Sequence, residues 1–439
     1  MPSPPSTPET TAGDPSEPGD HTGGSRRRER ARGRAALRVV GLVGLTLVMV
    51  VALGAAYLYR DLNSGFHVSN SQADLTDRPD AQQVEGSRQP INILVMGSDS
   101  RDGANDIDGD ASDGERSDTT ILIHLSADRT RAYGISIPRD SMVDRPACPA
   151  SEGFAAQPAA SYVMWNEAFA YGGATCTMQQ FEQLTDIRLD HHVVVDFDGF
   201  KKMVDAIGGV RMCIPEDMVD DSYTHTTIKA GKNRLLDGEE SRTYVRMRHI
   251  TNPEGEEIGD GSDISRTRRQ QAFIGAMANQ AMSAGVLANP FKLRSFLKAV
   301  IDSVTVDKGL GNIAKLVQLG LQFKGISLDD IQFLTIPNYY PPEDPNRVRW
   351  IEPAADQVWK AIRNDKPIPA RLLTGVITAD DAATGGSPSA SASPSGSPSD
   401  ESSSSPSATT SAEPSTSPTT KDALPATQYD DPARNGLCS

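Results

Sequence analysis

Positive charge is in short supply: 43 Lys and Arg stand against 58 Asp and Glu, a formal net charge of -15. That balance excludes a nucleic-acid binder working through a broadly basic surface, because such binding neutralises phosphates with Lys and Arg. Local basic clusters remain compatible with a small phosphorylated ligand. Cysteine is also scarce. Cys148, Cys176, Cys213 and Cys438 lack zinc-ligand spacing, and His191 and His192 lie outside a metal spacing and read as structural. No internal repeat is present, which argues against a solenoid or propeller. Only one long stretch is free of charge and strongly apolar, Val39 to Tyr59.

Roughly 20 apolar residues at ~1.5 Å each match the hydrocarbon thickness of a bilayer, so residues 39–59 are expected to form one transmembrane helix. The arginines between Arg26 and Arg38 place the N-terminus in the cytoplasm by the positive-inside rule. The run exceeds the apolar core of a cleaved signal peptide and ends in Tyr57 and Tyr59, which suit an interfacial belt. An uncleaved, single-pass anchor is therefore expected, rather than cleavage near Ala55-Ala56. The chain then reads as a disordered basic cytoplasmic arm (1–38), the span (39–59), a linker (60–88), an extracytoplasmic folded domain (89–372) and a disordered tail (373–439). The tail is Ser, Pro and Thr with scarcely an aliphatic cluster, too little apolar surface to offset the entropy of ordering. Outside the cell the four cysteines can oxidise; three pairings are open, and Cys148 with Cys176 is favoured because both border one predicted loop-and-helix segment.

In the middle, β-rich runs at 91–96, 119–125 and 132–137 come first. Helices are expected at 165–171, 177–184, 200–207 (closed by Gly208-Gly209), 238–244 (Asp237 as N-cap), 265–303, 313–323 and 354–363. Strands at 193–197, 210–214 and 331–336 interleave with them. Apolar strands alternating with helices indicate an α/β fold with its sheet covered on both faces.

The chemistry concentrates at strand ends. Arg116-Ser117-Asp118-Thr119-Thr120 opens one strand, and Ile135-Ser136-Ile137-Pro138-Arg139-Asp140 closes another, each with a guanidinium beside a carboxylate. Arg offers a rigid fork of donors to phosphate oxygens, and Asp offers the hard oxygen that Mg²⁺ prefers. The combination recurs in Asn92-Ile93-Leu94-Val95-Met96-Gly97-Ser98-Asp99-Ser100-Arg101, and basic clusters follow in Tyr244-Val245-Arg246-Met247-Arg248 and Arg266-Thr267-Arg268-Arg269-Gln270-Gln271. Arg266, Arg269 and Gln270 share one helix face, which Phe273, Ile274 and Met277 continue; a face that turns from basic to apolar suits an amphiphile with a phosphorylated head. Arg268 points elsewhere and reads as solvated. Arg246 and Arg248 diverge by about 200° on a regular helix, so they serve one ligand only where the helix has ended. The acidic stretch from Asp102 to Glu115 lacks the register of an EF-hand and reads as a loop beside the site.

In this order, with Tyr171-Gly172-Gly173, Val195-Asp196-Phe197-Asp198-Gly199-Phe200 and Gly208-Gly209-Val210 between them, the segments resemble the LytR-CpsA-Psr family of cell-wall glycopolymer transferases, over roughly Pro90 to Arg371. The resemblance implies a central mixed β-sheet sandwiched between helical layers. It implies Mg²⁺, or Mn²⁺ in its place, on Asp99 and Asp118, and catalysis by these two with Arg116 and Arg139. Arg101, Arg246, Arg248, Arg266, Arg269, Gln270 and Phe273 would complete the pyrophosphate and lipid site, with Asp140 orienting its neighbour or a water. The implied activity transfers a glycopolymer from an undecaprenyl-pyrophosphate carrier at the membrane to a peptidoglycan acceptor through a phosphodiester, with no nucleic acid as partner. Two alternatives stand beside it: a lipid-pyrophosphate hydrolase at the same site, and a non-catalytic membrane-bound attenuator or wall-polymer binder. The arm before the span has no DNA-binding motif, which weighs against an attenuator. Unlike longer members, the chain shows no second folded domain, and its Ala, Gly, Arg and Asp content points to an actinobacterium.

Overall fold

Antiparallel pairing of Ile91–Asp99 with Arg116–Leu125, and of that strand with Ala132–Ile137, forms the centre of the computed structural model. The structure describes residues 44–99, 116–220, 226–259, 261–282, 285, 289–384 and 437–438; the expected arm, the acidic loop and most of the tail lie outside them. The full sheet has eight strands in the order His67–Ser69, Val304–Asp307, His191–Asp196, Ile91–Asp99, Arg116–Leu125, Ala132–Ile137, Ile331–Thr335 and Ile377–Thr378. Parallel pairs (Ile91–Asp99 with His191–Asp196, Ala132–Ile137 with Ile331–Thr335) mix with antiparallel ones, as expected for the fold class.

Alternation sends successive side chains to opposite faces, and both faces are covered. Leu94, Met96, Leu122, Ile135 and Ile137 pack against Phe169, Met178 and Phe181 of the helix Glu167–Thr185 and against Val358 and Trp359 of the helix Glu352–Arg363. On the other face, Ala132, Ile331 and Phe333 meet Ile274 and Met282 of the long helix Asp263–Met282. Gln271 of that helix donates to Ser136 Oγ at 2.9 Å and Thr335 Oγ1 at 3.0 Å. Gly134 lets Phe333 lie on the sheet, since a Cβ there would fall 2.4 Å from the ring.

The chain divides after Asp61 into two units. The first contains most of the helix Gly44–Asn63, whose mean hydropathy of 1.5 and near-complete exposure make it long and apolar enough to cross a membrane. The second, from Leu62, contains the sheet.

Several boundaries differ from expectation. Where a single helix is expected at 265–303, the described residues form the helices Asp263–Met282 and Pro290–Ile301, followed by the strand Val304–Asp307. Asn289 caps the second by accepting from the backbone of Phe291 and Lys292, and Pro290 can only begin a helix here. Residues read as linker supply the strand His67–Ser69, and residues read as tail supply Ile377–Thr378 and the helix Ala379–Thr384, with Ala379 and Ala382 buried. By contrast, Asp237 caps its helix as expected, in a capping box with Glu240, and Gly172 and Gly173 kink Glu167–Thr185 between the two helices expected there. His191 bonds Asp307 at 3.1 Å and His192 is buried on its strand, both structural as read.

Two disulfides form, Cys148–Cys176 and Cys213–Cys438. The second joins the strand Val210–Ile214 to residues 225 positions later, which constrains the unfolded chain over a long loop. Cys438→Ser is expected to lower the thermal midpoint by a loss on the order of 2–4 kcal/mol while mass mapping still finds Cys148–Cys176; an unchanged midpoint would contradict the pairing.

Candidate functional site

Met96, Thr120 and Ile137 form one row across three adjacent strands. Beyond that row the three strands end together, so Asp99, the Arg116–Asp118 segment and Arg139-Asp140 emerge at one end of the sheet. The register there is irregular: Gly97 faces Thr119 but Ser98 faces Ser117, leaving Asp118 as the extra residue of a β-bulge. Bulges re-aim a side chain and occur beside active sites. Asp99 and Asp118 thus sit within about two rungs of each other on strands ~4.8 Å apart. Their side chains, that of Arg116, and the whole of Arg101 lie outside the described residues. Among the described residues no group of three or more His, Cys, Asp or Glu is arranged to hold a metal ion.

At this end a cavity of about 620 Å³ is lined, among the described residues, by Arg139, Arg248, Arg266 and Arg347 with Asp140 and Asp263 as the acids. Asp263 knits the arginines together. Its Oδ1 lies 3.2 Å from Arg139 Nε and 2.5 Å from Arg266 Nη2, while Asp140 Oδ2 stands 3.6 Å from Arg139 Nε. Asp263 occupies the first turn of the long helix, where the helix dipole favours an anion. Side-chain exposure is 9% for Asp263 and 5% for Arg266, so removing Asp263 would take the counter-charge from a buried Arg266. Burial, then repulsion from Asp263, pushes the Asp140 carboxyl above the usual carboxylate range, against the pull of Arg139, Arg266 and Arg347.

The helix Gly238–Arg246 has ended by Met247, whose extended backbone (ψ 136°) carries Arg248 to the cavity wall. Arg246 falls in the helix's last turn and does not line the cavity. Arg269 and Gln270 stand one step behind it. Arg269, 1% exposed, donates to the Met247 carbonyl at 2.5 Å and to Ser265 Oγ at 3.1 Å, fastening the segment that presents Arg248. Gln270 donates to the Val245 carbonyl at 3.2 Å and accepts from Thr119 Oγ1 at 3.2 Å, tying the long helix to the bulged strand.

Phe273, expected at the lipid site, is fully buried between Phe200 and Tyr244, ring centroids 5.2 and 6.4 Å away, in a core cluster that Met277 packs against. The face that turns from basic to apolar does so by entering the core. Arg268 is likewise buried rather than solvated, donating to the Gly375 carbonyl on a segment assigned to the tail. Sequence reasoning passed over Asp263, although an acid three residues before Arg266 is a readable signal, and Arg347, which arrives on a loop that no periodicity marks.

The LytR_cpsA_psr family model matches residues 58–363. The probable cell wall biosynthesis protein LcpB of Corynebacterium glutamicum is 31% identical over 73% of this chain and 69% of its own. The polyisoprenyl-teichoic acid–peptidoglycan teichoic acid transferase TagU of Halalkalibacterium halodurans is 27% identical, over 69% of this chain and 94% of its own. The crystal structure of B. subtilis TagV is 26% identical and covers 64% of this chain and 100% of its own, with a TM-score of 0.48.

Because the Asp140 pKa is raised on folding, the native state holds that proton more tightly than the unfolded chain does. Stability therefore falls as pH rises from the ordinary carboxylate range through the raised native value. Asp140→Asn should raise the thermal midpoint at neutral pH, with the gap to wild type closing as pH falls below the unfolded carboxylate range. A neutral-pH midpoint below wild type would contradict this electrostatic picture.

Proposed function

This chain belongs to the LytR_cpsA_psr family, and from that premise we propose that it is a membrane-anchored phosphotransferase. It moves a glycopolymer from an undecaprenyl-pyrophosphate carrier onto peptidoglycan, leaving a phosphodiester link. The observation that carries this reading is the convergence of four arginines on one cavity against two carboxylates, in a chain of net charge -15. Guanidinium forks match phosphate oxygens two at a time, and a diphosphate needs several. The apolar helix Gly44–Asn63 and the two disulfides support an anchored domain in an oxidising space outside the membrane.

The residues act mainly by position. Asp263 fixes Arg139 through Nε and Arg266 through Nη2, so both are set before the ligand arrives and need not reorganise as charge develops on the departing phosphate. Arg248 and Arg347 add charge from the other walls. Asp140, with its raised proton affinity, is suited to take the proton of the acceptor hydroxyl. The acceptor oxygen bonds to the glycan-bearing phosphorus, the bridging P–O bond breaks, and polyprenyl monophosphate departs. Asp99 and Asp118, hard oxygen donors on neighbouring strand ends, suit Mg²⁺, with Mn²⁺ as the alternative, which would neutralise charge on the phosphate oxygens.

The test is transfer by the full chain in detergent with Mg²⁺, a synthetic polyprenyl-pyrophosphate-linked glycan and soluble peptidoglycan fragments, with products read by mass spectrometry. Wild type should give a phosphodiester conjugate, and Arg139→Ala and Asp118→Ala should each lower its rate by about 10²–10³. Free phosphorylated glycan despite ample acceptor would make this a hydrolase, and an Arg139→Ala rate equal to wild type would overturn the site.

A further inference from the structure

The loop that lines one wall of the cavity also carries exposed aromatic surface next to it in the chain. Tyr340, Asn346 and Arg347 line the cavity, and the residues flanking them pair as a short ladder, Tyr339 opposite Arg349. Val348 donates to the Asp140 carbonyl at 3.0 Å, so this loop is fastened beside the site. From the other side comes Tyr162, on the strand Ala160–Met164 that pairs with Met142–Arg145 just after Asp140. The Tyr162 hydroxyl accepts from Arg349 Nη2 at 2.7 Å and Nε at 3.2 Å, and the guanidinium stands 5.1 Å from the ring centre. Arg349 also pairs with the Glu343 carboxylate, Nη1 to Oε1 at 3.2 Å.

Two features mark this cluster, at a point where the register of the Met142–Arg145 and Ala160–Met164 pair shifts. Tyr162 and Tyr339 are 48% and 41% exposed, so neither serves the core. Tyr162 also holds φ at +55°, a left-handed conformation unusual for a bulky residue, with its backbone N–H pinned to Asp144 Oδ1 at 2.9 Å. Strain kept at an exposed aromatic beside a cavity points to binding.

We propose that Tyr162, Tyr339 and Arg349 form the acceptor platform, seating a sugar of the peptidoglycan glycan strand with its C–H face on tyrosine and its polar groups on Arg349. Tyr and Arg are the residues that most often carry binding energy at recognition surfaces. The sheet order selects acceptor over donor. Asp99 and Asp118 lie on the two strands to one side of Arg139, and the platform loop follows Ile331–Thr335 on the other. A diphosphate held at the arginines would lie between them, and a hydroxyl offered from the platform would reach it on the Asp140 side. The proposal rests on the transferase reading for its choice of partner.

The experiment measures, by calorimetry on the full chain in detergent, the affinity for a soluble peptidoglycan glycan fragment and, separately, for a polyprenyl pyrophosphate. Tyr162→Gly removes the ring while suiting the backbone angle, so its thermal midpoint should not fall. It should weaken fragment binding about tenfold and leave the pyrophosphate affinity unchanged, Tyr339→Ala should do the same, and Tyr162→Trp should retain binding. Unchanged fragment affinity in Tyr162→Gly, or equal loss for both ligands, would overturn the platform. Loss of affinity for free donor glycan instead of the fragment would overturn its assignment to the acceptor. If wild type binds the fragment through Tyr162 yet makes no conjugate, the transferase reading fails and the platform stands.

Discussion

The carboxylate of Asp263, set between Arg139 and Arg266, is the interaction on which the site depends. Two guanidiniums facing one cavity repel each other, and burying them without a counter-charge would be prohibitive. One shared carboxylate in the first turn of a helix resolves the conflict, and among the described residues Arg248 and Arg347 also face the cavity. The remainder of the long helix holds that turn in place. Gln271 bonds two strands of the sheet, Gln270 the bulged strand, Arg269 the segment before Arg248, and Arg268 the Gly375 carbonyl. A row that looks like a run of ligands is, for the most part, the fastening of two ligands.

The sheet supplies the second constraint, which is order. Strand register puts the Asp99 and Asp118 positions, the Arg139-Asp140 pair and the Tyr339–Arg349 loop side by side across one end. On the proposed transferase reading, that order would set a diphosphate between a cation and an acceptor. Backbone regularity is broken at the Asp118 bulge and again at Tyr162, where the neighbouring pair shifts register.

Elements with several turns or several alternations were legible because their periodicity is long enough to count: the three central strands, the helix closed by Gly208-Gly209, and the helix capped by Asp237. Two- and three-residue strands such as Ile377–Thr378 and His67–Ser69 carry no period, and their existence is decided by what they pair with. Helical spacing correctly placed Arg266, Arg269 and Gln270 on one face but could not say what that face would meet, so Phe273 read as lipid-facing and lies in the core. Arg268 read as solvated for the same reason. Favouring Cys148 with Cys176 leaves Cys213 to Cys438, a pair that no local signal marks because 225 residues separate them.

The measurement that bears most directly on this account is a crystal structure of the protein with a polyprenyl pyrophosphate bound. The account predicts both phosphates in the cavity, within about 3 Å of Arg139, Arg248 and Arg266 nitrogens, with Asp263 still bridging its two arginines. A diphosphate seated elsewhere, or an Asp263 carboxylate swung away from both guanidiniums when it binds, would contradict it.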